Sequence, residues 1–218
     1  MADKNIPLFT GGNDGRPMVK IPAGKFLFGE DQQEVETKEF FMDRYPVTNA
    51  EYKKFVDATG HAEPASWRNH TWPEGKQNHP VVEVNWASAS AYAQWAGKRL
   101  PTGEEWEKAA RGTDGRTWPW GNDWDIDKCN VFSDGTTEVG KYSPAGDSPY
   151  GCADMAGNVW EWIGGGSPSQ LRAPLRGGDW LDGPDEAQTF HVRMHTPHRK
   201  NPFVGFRCAA DSAEPLKE

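Results

Sequence analysis

The densest set of metal-capable side chains lies in Phe190-His-Val-Arg-Met-His-Thr-Pro-His198, which holds His191, His195 and His198. Imidazoles suit zinc, iron, copper or nickel. His195 and His198 could share a metal across one helical turn, but Pro197 between them forbids a regular helix. No carboxylate falls nearby at the spacing of a facial triad, so solvent-facing histidines in a ligand loop are the preferred reading. Asp182, Asp185 and Glu186 cluster just upstream, and clustered acids are usually a solvated face. Cys129, Cys152 and Cys208 are odd in number and widely spaced. They indicate neither a disulfide framework nor a zinc knuckle. The chain also lacks a Gly-x-Ser-x-Gly elbow, a phosphate loop ending in Lys-Ser/Thr and a His-Glu-x-x-His pair.

A second concentration of chemistry is Gly151-Cys-Ala-Asp-Met-Ala-Gly-Asn-Val-Trp-Glu-Trp162. On an extended chain Trp160 and Trp162 point to one face and Glu161 to the other, close to the Asn158 amide. Gly157 and Asn158 tolerate positive φ and suit a tight reversal before a short strand. Each tryptophan buries roughly 150–250 Å², so both are core. A carboxylate trapped beside that core needs a partner.

These residues are carried by 218 residues with 24 Gly, 17 Pro and 11 Trp. Such a chain makes one turn-rich domain whose core leans on aromatics. A net charge of −8 without a lysine or arginine run disfavours a nucleic-acid partner. There is no apolar run of about 18 residues for a membrane span and no signal-peptide core at the N-terminus. A cytoplasmic protein with reduced thiols is expected.

The positioning elements follow from punctuation. Residues 1–17 read as a loose N-terminus, 18–210 as the domain and 211–218 as a tail. Short strands are expected over 19–30 and 39–46. Thr48 or Asn49 caps a helix over 50–58 that Gly60 stops. A second helix runs from Trp86 to Trp95 before Gly97. Thr102 with Glu105 forms a capping box for a third, ending at Gly112. Residues 61–80 read as a surface loop and 79–85 as a strand. Beyond Gly112 come only turns and short strands, at 130–132, 138–142, 160–162, 175–180 and 204–209. Helices in the first half and irregular strands in the second make an α+β domain with two to three helices.

Ile21-Pro-Ala-Gly-Lys-Phe, Tyr45-Pro-Val-Thr-Asn-Ala-Glu-Tyr, His79-Pro-Val-Val-Glu-Val-Asn-Trp86, Arg99-Leu-Pro-Thr-Gly-Glu-Glu-Trp106, Gly157-Asn-Val-Trp-Glu-Trp162, Leu175-Arg-Gly-Gly-Asp-Trp180 and Val204-Gly-Phe-Arg-Cys208 together resemble the formylglycine-generating, or sulfatase-modifying factor, family. The resemblance covers residues 18–210 and implies an elaborated C-type-lectin-like fold. In the oxidases, two cysteines shortly after an Arg-Gly-Gly-Ser motif bind copper(I). Here the stretch after Arg176-Gly-Gly-Asp contains no cysteine before Cys208, and offers about Asp182 and Ala187 in their place. Copper(I) wants thiolates, so copper thiol oxidase activity is disfavoured.

The resemblance also implies calcium, held by Asn158, Glu161 and nearby carbonyls such as that of Val159, ligands of a kind that suits the ion. The competing reading pairs Glu161 with Arg176 or Arg207. A second family calcium site is matched by Asn130-Val131 and Asp134-Gly135 over a shortened loop. Relatives without the copper cysteines include the variable proteins of diversity-generating retroelements, which bind ligands through the segment between these motifs. In this chain that segment is 179–204. It offers Trp180, Asp182, Asp185, Glu186, Gln188, Phe190, His191, Arg193, His195 and His198 to a protein or small ligand. The alternative is a metal-dependent oxidoreductase like the iron-dependent sulfoxide synthases, built on the same histidines.

Overall fold

The computed structural model describes residues 6–167 and 169–216. In chain order the elements are β1 (Leu8–Thr10), β2 (Pro17–Ile21), β3 (Gly24–Phe28), β4 (Gln33–Thr37), β5 (Phe40–Asp43), α1 (Asn49–Thr59), α2 (Trp86–Trp95) and α3 (Gly103–Arg111). A 3-10 turn at Ile126–Lys128 is followed by β6 (Trp160–Trp162), β7 (Ala173–Arg176), β8 (Arg193–His195), β9 (Val204–Phe206), β10 (Ala209–Ala210) and β11 (Glu214–Pro215).

The helices begin and end where local chemistry sets them. Thr48 and Thr102 each form a capping box, with Glu51 and Glu105, and Asn85 caps α2 through Ser88 N–H. Gly60 closes α1 in a left-handed conformation. The expected strands at 79–85 and 130–132 are instead irregular stretches with single bridges, Thr48 to Pro80 and Asn130 to Gly157, and 139–142 is a turn.

The termini differ from expectation. Leu8–Thr10 and Glu214–Pro215 are not loose ends, because they pair with each other and join the sheet ordered β10-β5-β2-β1-β11. Residues 1–5 and 217–218 lie outside the described residues. The expected strand at 204–209 is split, with β9 in the second sheet and β10 in the first. Arg207 and Cys208 are fully buried at this crossover.

The second sheet, ordered β8-β7-β6-β9, positions the site. Its β6 pairs parallel to β9 and antiparallel to β7. As the alternation requires, Trp160 and Trp162 share one face, packed in the cluster that holds Tyr52, Tyr92 and Phe206. Glu161 faces the opposite way, towards Trp106 of α3 and Arg207. Losing the Trp160 side chain would cost roughly 3–5 kcal/mol, as large core deletions do.

Candidate binding surface

Segment 179–204 is mounted on the two tryptophans of β6. Asp182 Oδ2 accepts from Trp160 Nε1 at 2.7 Å and from Asp179 N–H at 3.1 Å. The Arg193 guanidinium lies 5.4 Å above the Trp160 ring and 3.7 Å from the same Asp182 oxygen. His191 sits 5.8 Å from Trp160, and His195 the same distance from Trp162. Trp180 is anchored by its backbone, donating to Asn158 carbonyl at 3.2 Å and accepting from Ser133 N–H at 2.8 Å.

The other expected contact residues divide. Asp185 and His198 are exposed, Gln188 is half-buried, and Glu186 accepts from Gly183 N–H at 3.3 Å. Phe190 is half-buried, with the buried Arg111 guanidinium 4.9 Å above its ring. One face of its ring is thus taken up by Arg111.

The histidines do not converge. His191 and His195 lie tilted against different tryptophans, and Asn201 Nδ2 lies 2.6 Å from His195 Nε2. Burial, then Arg193 and Arg199, push the His195 imidazole below its ordinary value. No group of three or more His, Cys, Asp or Glu suited to a metal occurs among the described residues.

Glu161 and Asn158, two of the residues expected for calcium, already carry hydrogen bonds. Glu161 Oε1 accepts from Arg207 Nη2 at 2.7 Å, and Oε2 from Trp106 Nε1 at 2.7 Å and Arg207 Nε at 2.8 Å. Asn158 does not reach Glu161. Its Oδ1 accepts from Thr137 N–H at 3.0 Å and Asn130 Nδ2 at 3.2 Å. Val159 N–H folds back to the Gly157 carbonyl at 2.9 Å, and Asp134 faces solvent. The Glu161 carboxylate oxygens and Asn158 Oδ1 thus carry donors where an ion would need a free lone pair, so these two side chains as arranged here do not fit calcium. Of the two readings the sequence leaves open, the geometry is that of the Glu161–Arg207 pair.

Several residues at this surface have no signal in the sequence. Asp179 is 98 % shielded (2 % exposed), and desolvation raises its carboxyl to about 6. Phe132 is 63 % exposed although it sits at φ +47°, a conformation bulky residues avoid. Its N–H donates to Asp182 carbonyl at 3.2 Å, and a Cβ on Gly183 would fall 2.7 Å from its Cζ. Leu181, the residue before Asp182, is 56 % exposed. A strained, exposed phenylalanine next to an exposed leucine is what an interaction patch offers a partner.

The three thiols take no part. All are buried, and desolvation pushes Cys129 and Cys152 up to about 12 and raises Cys208 well above its ordinary value. Such thiols are neither ligands nor nucleophiles.

Residues 9–212 match the family described as the sulfatase-modifying factor enzyme 1-like domain. A bovine protein named inactive C-alpha-formylglycine-generating enzyme 2 is 31 % identical, over 92 % of this chain and 90 % of its own length. A formylglycine-generating enzyme of Thermomonospora curvata is also 31 % identical, over 96 % of this chain and 98 % of its own. Among solved structures, Treponema denticola variable protein 1 superposes with a TM-score of 0.71 at 21 % identity, covering 94 % of this chain and 98 % of that one. The likeness to the variable protein is one of fold, which is α+β and C-type-lectin-like. No helix among the described residues is long and apolar enough to cross a membrane.

Proposed function

The chain belongs to the sulfatase-modifying factor family, and from that premise we propose that it is a non-oxidase member serving as a protein- or ligand-binding scaffold. The observation that carries this reading is the 179–204 segment itself. It holds no cysteine, yet it is fixed to the core through Asp182, Arg193, His191 and His195 on Trp160 and Trp162. A rigid base with variable side chains above it is the usual build of a recognition surface. The bovine relative named as inactive supports the reading, and the variable-protein neighbour shares the fold.

Recognition in this reading is made by the exposed patch of Phe132 and Leu181 and by the polar side chains around it. Apolar anchors within a polar rim are the normal anatomy of an interface. The experiment is affinity capture with the full chain beside a Phe132→Ser/Leu181→Ser double variant, followed by direct titration of any protein retained. Retention by the native chain and loss by the folded variant is the expected result. Equal retention by both would place recognition elsewhere.

A further inference from the structure

β8 is the outer strand of the sheet that carries the site. It pairs with β7 in the register Ala173 to His195, Pro174 to Met194 and Leu175 to Arg193. Pro174 has no N–H to give, so it fits the ladder only in a pair that exchanges no hydrogen bonds. A residue in such a pair turns its own N–H and C=O away from the neighbouring strand. The Met194 backbone therefore points to the open side of the sheet.

The surroundings of that edge have their own character. Val192 and Met194 are 44 % and 45 % exposed, large for apolar residues. Arg193, Arg199 and Lys200 are exposed, as is Arg172 just before β7, and Lys200 Nζ also reaches the Glu63 carbonyl at 3.4 Å. Between Glu186 and Asp211 the sequence has no carboxylate, although the whole chain carries −8. Arg193 and Arg199 both lie near enough to His195 to depress it. One acid, Asp182, faces Arg193 from the inner side. The edge is thus a local cationic strip on an anionic protein, with apolar side chains and free backbone groups along it.

Resting on the scaffold reading above, we propose that the β8 edge receives an extended acidic segment of a partner protein as an added strand. The partner's backbone would bond to Met194, its carboxylates would meet Arg193, Arg199 and Lys200, and its apolar residues would cover Val192 and Met194. Strand addition of this kind takes affinity from main-chain bonds and specificity from alternate side chains. The same charges on an edge also discourage self-pairing, and the test separates the two roles.

The test uses the full chain and fluorescein-labelled peptides: one alternating glutamate with valine, one alternating lysine with valine, and the acidic peptide N-methylated at alternate residues. The acidic peptide is expected to bind, more weakly as salt rises, and the lysine peptide not to. N-methylation is expected to weaken binding about tenfold, since it removes main-chain donors without altering charge. Arg199→Glu/Lys200→Glu should weaken it comparably, and hydrogen exchange at the Met194 amide should slow on binding. Absence of acidic-peptide binding, equal binding of both charges, or indifference to N-methylation overturns the proposal. If a captured partner is lost with the Phe132/Leu181 variant while the peptides fail on the native chain, the scaffold reading stands and the β8 inference alone falls.

Discussion

The Trp160 indole donates to the Asp182 carboxylate at 2.7 Å, joining the centre of the core to the first turn of the exposed segment. The same carboxylate oxygen takes Asp179 N–H, and Arg193 sits over the indole it is bonded to. One acid thereby holds the loop, the strand after it and the tryptophan below in a single arrangement. Asp182→Ala should release the segment while leaving the fold, seen as faster hydrogen exchange over 179–193 with a small drop in melting temperature. Trp160→Ala should instead lower global stability by roughly 3–5 kcal/mol. Equal effects of the two would mean that the bond does not tether the loop.

Phe132 occupies a left-handed conformation that favours glycine. Phe132→Gly relieves that strain and removes an exposed ring, so the melting temperature should hold or rise. Affinity for a partner should fall by about 1–3 kcal/mol, as for an anchor residue. Lower stability with unchanged affinity would make Phe132 a packing residue.

Asp179 gives a pH dependence of definite sign. Its carboxyl is raised in the folded protein from the ordinary 3.8 to about 6 by desolvation. The native state keeps that proton longer than the unfolded chain does. The contribution to stability is therefore fully present below 3.8 and is lost as pH rises through about 6. Asp154, raised to about 6 by the same cause, acts in the same direction. Asp179→Asn should flatten the decline in stability across that window, measured by denaturant unfolding at several pH values. A slope unchanged by the substitution would show that the carboxyl is not held protonated.

Helix positions were legible because capping residues and stop glycines act locally. Thr102 with Glu105 and the Gly60 stop stand where they were expected. The Trp160–Trp162 alternation was legible for the same reason, a period of two over three residues. Strand membership of Leu8–Thr10, Arg193–His195 and Glu214–Pro215 was not. Strands this short carry almost no periodic signal, and their partners are far away in sequence. At the site, residue type pointed to Arg193, His191 and His195, which the structure places against Trp160 (Arg193 and His191) and Trp162 (His195). Type alone could not reveal that Arg111 lies over the Phe190 ring or that Phe132 and Leu181 are exposed. Nor could it show that Arg207 takes up both Glu161 oxygens.

That last pairing makes a prediction about ions. Glu161→Gln would leave Arg207 buried without its counter-charge, and should cost about 3–5 kcal/mol, as breaking a buried pair does. Because the pair already fills Glu161, chelator should leave the native melting temperature unchanged and added calcium should not raise it. A calcium-dependent rise lost in Glu161→Gln would restore the ion to this place.

The central claim, that this member binds and does not oxidise, is tested most directly by incubating the purified full chain with a Cys-x-Pro-x-Arg peptide, copper and air, and weighing the peptide by mass spectrometry. The segment after Arg176-Gly-Gly-Asp has no thiol to hold copper(I), and the three cysteines of the chain are buried with their thiols pushed up. The peptide cysteine should therefore remain unchanged. Loss of the thiol mass with gain of an aldehyde would contradict the account.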